Sequence, residues 1–190
     1  MAGRGRGAPP PFTVEGSRAA AVLVPLFEDD GRLHVLLTRR SSELAAHRGE
    51  VAFPGGRQDP GEDLLAAALR EAREEIGLAS DQVRVLGELD RLATVASRFV
   101  VAPFVGELDG RPDTSPNPAE IERVFDVDVA ELLDDGVFRE EIWELPMGPR
   151  DVSFFELEGE TVWGATARIL RQLLMLLTLT GGSEEGVYPG

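Results

Sequence analysis

The fold class that the sequence predicts is an α/β/α sandwich built on a mixed β-sheet. Three observations predict it. Apolar segments of strand length recur from Arg18 to Glu158, divided by Gly, Pro and Asp turns. Two segments, Glu62 to Ile76 and Ala165 to Leu179, carry helical periodicity and lie far apart in the chain. The length, 190 residues, suits one domain, which at this size buries about 70% of its unfolded surface. Many strands and two main helices are accommodated when helices cover the faces of one sheet.

The elements follow in order. Residues 1 to 16 are rich in Gly, Pro and Arg, cannot build a core, and read as a disordered arm. Arg18 to Phe27 and Leu33 to Thr38 are apolar strands, and Asp30-Gly31 between them signals a hairpin. Arg39 to Val51 is polar and reads as a long loop with one helical turn. Phe53-Pro54-Gly55-Gly56 is a tight backbone segment leading to the first helix. That helix runs from Glu62 to Ile76 after an Asp59-Pro60-Gly61 turn, and Gly77 stops it. Leu65, Ala68, Leu69, Ala72 and Ile76 form its apolar face.

Val83 to Leu89 and Arg91 to Val95 read as an interrupted strand. Phe99 to Leu108 is another, placed at an edge or a bulge by Pro103. Ile121 to Val127 alternates as a half-buried strand, and Ala130 to Leu133 is a helical turn. Phe138 to Leu145 pairs with Val152 to Glu158 across Pro146–Pro149. The last helix, Ala165 to Leu179, puts Ile169, Leu173, Leu176 and Leu177 on one face, and 181–190 is a tail. The domain is thus 17–180.

Composition removes several functions. The net charge of −15 argues against electrostatic binding of nucleic acid, which needs a basic face. All 19 basic residues are arginine, and there is no cysteine. Thiolate catalysis, thiolate metal sites and disulfides are excluded, in keeping with a reducing cytoplasm. The apolar run Leu173 to Leu179 falls far short of the roughly 20 residues of a membrane span.

The chemistry concentrates on the first helix. Glu71, Glu74 and Glu75 stand at i, i+3 and i+4, within an arc of roughly 100°. Like charges so placed repel. Arg70 and Arg73 point to other sectors of the helix, so a divalent cation, which takes carboxylate oxygens, is the expected partner.

The run from Gly56 to Leu78 resembles the Nudix box. Gly56, Glu62, Arg70-Glu71-Ala72, Glu74-Glu75 and Gly77-Leu78 occupy its fixed positions, with Ala72 where a larger aliphatic residue is common. The resemblance implies Mg²⁺ or Mn²⁺ on Glu71, Glu74 and Glu75, with the Gly55 carbonyl as a further ligand. It implies hydrolysis of the pyrophosphate of a nucleoside diphosphate linked to another group. Arg70 is expected to support the carboxylates by pairing with Glu62 or another acid. Glu62 is either that structural partner or an outer metal ligand. Glu74, Glu75 and Glu120 are the candidates for general base.

A second segment narrows the substrate. Leu36-Leu37-Thr38-Arg39-Arg40-Ser41, Gly49 and Phe53-Pro54-Gly55-Gly56 resemble the signature upstream of the box in coenzyme A pyrophosphatases. Ala45 stands where that signature has Arg. Thr94 to Pro103 and Val162 to Ala167 resemble further segments of that subfamily, with Arg98 in a Gly place and one extra residue after Thr94. The resemblance implies coenzyme A or a derivative as substrate, with 4′-phosphopantetheine and adenosine 3′,5′-bisphosphate as products. Arg39, Arg40, Arg48, Phe53 and Gly56 are its expected substrate-side residues, and Arg57 also flanks the metal loop. The rivals are a Nudix hydrolase of ADP-ribose, a dinucleotide or a nucleoside triphosphate, and a non-catalytic sensor of the same fold. The partner expected is a small nucleotide, with no nucleic acid and no membrane; a homodimer is one assembly considered.

Overall fold

The structure, a computed structural model, describes residues 8–10, 16–44, 48–94, 98–145 and 148–181. The motif departure at Ala45, His47, Pro146, and the greater part of the arm and tail lie outside these residues. Of the arm, Ala8 is described: its N–H donates to Asp90 Oδ1 and its carbonyl accepts from Arg91 N–H.

Strands β1 (Arg18–Asp29) and β2 (Arg32–Arg40) form the expected hairpin. Asp30 and Gly31 take φ 49° and 74°, the left-handed pair that matches the strand twist of a two-residue turn. β3 (Val51–Ala52) and β4 (Gly55–Arg57) are short strands within what reads as loop in the sequence. β5 (Arg84–Glu88) and β6 (Leu92–Ala93) flank the interruption, and β7 (Phe99–Glu107) and β8 (Ile121–Asp128) complete the main sheet. Its order is β3-β2-β1-β7-β5, with β4 on β1, β6 on β7 and β8 on β2. β1 and β7 run parallel and the other pairs antiparallel, so the sheet is mixed. A second sheet holds β9 (Phe138–Leu145), β10 (Gly148–Leu157) and β11 (Glu160–Trp163). β10 begins at Gly148, earlier than its apolar pattern implies, because pairing with β9 starts directly at Leu145.

Helices α1 (Leu64–Ile76) and α2 (Gly164–Gly181) cover the two faces of the main sheet. Under α1, Ala67, Ala68, Ala72 and Ile76 meet Ala21, Leu23, Leu36 and Ala102. Alanines on both sides let the helix lie close to the sheet, which accounts for the small residue at position 72. Under α2, Ala167, Ile169, Leu170, Leu173 and Leu174 pack on Val24, Leu37, Val51 and Phe155. Leu176, placed on this face by the sequence pattern, is 50% exposed; Leu170 and Leu174 complete the stripe instead.

Pro103 stands at a bulge, one of the two places that its sequence context allows, and not at an edge: three residues between Glu88 and Leu92 oppose two of β7. It lies in β7, an interior strand between β1 and β5. Its carbonyl accepts from Leu89 N–H, so its nitrogen faces that same side. There the ladder is broken between Glu88 and Leu92, and the missing donor costs no hydrogen bond.

Arg98, in the Gly place of its motif, takes φ 53°. Left-handed backbone costs a non-Gly residue roughly 1–2 kcal/mol. Arg98→Gly is therefore expected to stabilise the protein by about 1 kcal/mol, raising the melting temperature by about 2–4 °C. A lowered melting temperature would show that the Arg98 side chain contributes more than its backbone costs.

Candidate active site

Helix α1 is placed by its ends. The Asp63 carboxylate accepts from Leu65 and Ala66 N–H, which starts the helix two residues later than its turn residues imply. Gly77, at φ 75°, ends it, and its N–H returns to Arg73 O. The next loop is tied to this end: Ser115 N–H donates to Ile76 O, and Asn117 N–H to Glu75 O. That brings Glu120 to the same cleft.

β4 supplies the other wall. Leu23 N–H donates to Pro54 O, and Gln58 N–H to Ala19 O. By antiparallel alternation, Gly56 bonds to Ala21 and the polar groups of Gly55 and Arg57 face away from β1. Gly55 N–H indeed donates to Glu75 Oε2 at 2.9 Å, and Arg57 O accepts from Arg70 Nη2 at 3.1 Å. The Gly55 carbonyl lies on this same outer edge. Gly56 has no room for a side chain: a Cβ there would stand 2.5–2.7 Å from the Glu71 carboxyl group.

Glu75 is the most buried charged group among the described residues, at 2% exposure. Arg40 Nη1 lies 3.3 Å from its Oε1. Burial pushes its pKa up to about 7, and the charges of Glu71 and Glu120 add to this, against the opposing pull of Gly55 N–H and Arg40. Glu71 is also raised by burial, with Arg70 opposing and the charges of Glu74 and Glu120 assisting. Glu74 is the exposed member, its side chain 58% accessible.

Arg70 does not point away, as helix geometry alone implies. Its Nε and Nη2 grip both oxygens of Glu62 at 2.9 and 3.1 Å, and its Nη1 reaches Glu71 at 2.9 Å and Glu74 at 3.4 Å. A long side chain crosses helix sectors that its Cβ direction does not. This grip, with help from Asp59 N–H, holds the Glu62 carboxyl below the usual carboxylate range. The guanidinium pKa is raised in turn, chiefly by Glu62.

The substrate-side expectations divide by face. Arg39 and Arg40 are consecutive in β2 and leave it on opposite sides. Arg40 reaches Glu75, and its buried Nε has no hydrogen-bond partner. Arg39 instead bonds to both oxygens of Glu160, which Arg123 also holds. Phe53 is 3% exposed and packs in the core under α2. Neither Arg39 nor Phe53 faces the carboxylates. Arg48 is exposed and turns to Leu44 O. Glu120 lies in the turn before β8, and Asn117 Nδ2 donates to it at 3.4 Å. Sequence reasoning passed over Asn117 as a site residue; the turn-forming Asn-Pro pair at 117–118 is the signal that marks it.

As the side chains stand, no three acidic or imidazole groups among the described residues converge as a metal cage. Glu71 and Glu74 are turned onto Arg70. The donor set still fits a hard divalent cation. Five carboxylates, of Glu62, Glu71, Glu74, Glu75 and Glu120, gather against the two guanidinium groups of Arg40 and Arg70, and a backbone edge with a carbonyl faces the buried Glu75.

A model of the Nudix domain matches residues 17–148. An uncharacterized Nudix hydrolase, NudL, of Photorhabdus laumondii is 37% identical over 166 residues, 87% of this chain and 88% of that protein. Nudix hydrolase 3 of Caenorhabditis elegans is 35% identical over 179 residues, 86% of this chain and 75% of that one. Among solved structures, the Nudix hydrolase RenU of M. smegmatis matches with a TM-score of 0.60 at 19% identity, covering 91% of this chain and 90% of that chain. A MutT/nudix family protein of Enterococcus faecalis matches with a TM-score of 0.62 at 16% identity, covering 87% and 64%. Both have the α/β fold with a mixed sheet described above. With the domain match spanning the carboxylate helix and its wall, and relatives aligned over most of their length, the chain belongs to the Nudix hydrolase family.

Proposed function

We propose that the protein hydrolyses the pyrophosphate bond of coenzyme A or a derivative of it. The observation that carries this reading is Arg40. It occupies the arginine position of the coenzyme A pyrophosphatase-like segment, and its guanidinium stands at the buried Glu75, with its own buried Nε lacking a hydrogen-bond partner. A guanidinium so placed is a donor for a phosphate oxygen beside the carboxylates.

Glu71, Glu74 and Glu75 would hold Mg²⁺ or Mn²⁺, which when bound neutralises the pyrophosphate, orients it and acidifies an attacking water. The chain's own residues do the rest. Arg70 holds Glu62, Glu71 and Glu74 as one unit, and Glu62 acts as its structural anchor. Gly55 and Gly56 let the β4 edge approach the carboxylates. Of the candidates Glu74, Glu75 and Glu120, Glu120, which Asn117 bonds and whose charge acts on Glu75, would take a proton from water as general base.

The test is turnover of coenzyme A, an acyl-coenzyme A, ADP-ribose, a dinucleotide and a nucleoside triphosphate with Mg²⁺ or Mn²⁺, with products identified. Coenzyme A substrates are expected to give the highest kcat/KM and to release adenosine 3′,5′-bisphosphate. A higher kcat/KM on ADP-ribose, a dinucleotide or a triphosphate would overturn the substrate reading.

A further inference from the structure

A pocket of about 410 Å³ opens at the end of β4, lined by Arg18, Arg57, Gln58, Asp59 and Glu62 among others. The strand register explains its two arginines. Arg57 pairs with Ala20 in the β1–β4 ladder, and Arg18 lies two residues from Ala20, so both side chains leave the sheet on one face. The Arg18 guanidinium lies over the Phe99 ring, 4.5 Å from its centroid. Stacking fixes its plane and leaves its N–H donors open at the rim. Arg57 meets no acid among the described residues.

Arg32, Arg39, Arg40, Arg70, Arg111 and Arg139 engage carboxylates, whereas the two guanidinium groups of this pocket pair with none among the described residues. The pocket's own acids do not close the gap. Glu62 is gripped by Arg70 and also accepts from Asp59 N–H. Asp59 is the one carboxylate of the lining left against two guanidinium groups. The pocket also adjoins the carboxylate cluster, because Arg57 O accepts from Arg70 Nη2. Arg57, paired with Ala20, leaves the sheet on the α2 side, while Gly56 meets Glu71 on the α1 side, so a substrate held at the carboxylates would reach the pocket by passing around the outer edge of β4.

We propose that this pocket is a second anion subsite. It takes a phosphomonoester that the substrate carries in addition to its pyrophosphate, with Arg57 and Arg18 as the specificity-determining donors. The inference rests on the coenzyme A reading, whose adenosine bears such a group.

Binding of adenosine 3′,5′-bisphosphate and of AMP to the full chain, measured by calorimetry with Mg²⁺, tests it independently of turnover. The wild type is expected to bind the bisphosphate about tenfold more tightly, as one charge-assisted contact allows. Arg57→Ala and Arg18→Ala should each bring that ratio toward one, and Arg57→Lys should retain part of it. Melting temperatures identify variants that keep the fold. In parallel, the ratio of kcat/KM for coenzyme A over 3′-dephospho-coenzyme A should fall about tenfold in Arg57→Ala, through KM. Equal affinity of the wild type for the two nucleotides would overturn the proposal, as would an unchanged ratio in a folded Arg57→Ala. If coenzyme A is not hydrolysed but the Arg57-dependent preference persists, the substrate reading fails and the subsite stands.

Discussion

Glu75→Gln is expected to lower kcat by at least about a hundredfold while stabilising the metal-free protein at pH 8. The first effect follows from removing an anionic oxygen at the centre of the cluster, where a single electrostatic contact is commonly worth 10²–10³ in rate. The second follows from burial. Glu75 is 2% exposed, and its pKa is pushed up to about 7, chiefly by desolvation. A carboxyl group raised above its unfolded value of about 4.5 favours the fold in its protonated form. Its contribution is complete below pH 4.5 and is lost as the pH rises through 7. Each unit of displacement corresponds to about 1.4 kcal/mol. The metal-free wild type should therefore lose stability between pH 5 and pH 8. Glutamine has no charge to bury and can still accept from Gly55 N–H, so the variant's pH slope should flatten. Thermal melts at both pH values, beside steady-state kinetics with Mg²⁺, check both halves. Near-normal turnover would remove Glu75 from the reacting centre; an unaltered slope would assign the pH dependence to another group.

The sequence is informative wherever the contact is local. The spacing of Glu71, Glu74 and Glu75, the stop at Gly77 and the turn at Asp30-Gly31 all depend on neighbours within a few residues, and the structure has each of them. Arg39 and Arg40 show the limit. Ending β2 at Thr38 leaves the strand's alternation unapplied to them, although alternation alone separates the arginine that reaches Glu75 from the one that reaches Glu160. Phe53 reads as loop, but the two residues before it pair with β2 and turn its ring into the core under α2. Arg70 and β4 could not be read in this way. Which sector a long guanidinium crosses, and which backbone edge a distant helix presents its carboxylates to, are decided by tertiary packing. Gly55 and Glu75 are 20 residues apart, and nothing local announces the bond between them.

That bond makes Gly55→Ala the most damaging single change foreseen. A Cβ at Gly55 would stand 2.4 Å from Ala21 O, 2.6 Å from Val22 Cα and 2.8 Å from Val22 Cγ1. The first two are backbone atoms of β1, and β1 cannot yield. Val22 pairs on its other side with Pro103 of β7, at the centre of the sheet. β4 must therefore lift off, which takes Gly55 N–H away from Glu75 and leaves a buried carboxylate short of a donor. A loss of roughly 3 kcal/mol or more is expected, with turnover reduced at least about a hundredfold. Gly56→Ala is the counterpart. Its Cβ would meet the Glu71 carboxyl group at 2.5–2.7 Å, and that is the far end of a flexible side chain. Glu71 can swing aside and the sheet need not move. Gly56→Ala should then fall in activity with little change in melting temperature, whereas Gly55→Ala falls in both. Thermal melts and kinetics on the two variants separate the cases. Equal destabilisation by both would mean that β4 is held by the Glu71 contact as much as by its pairing with β1.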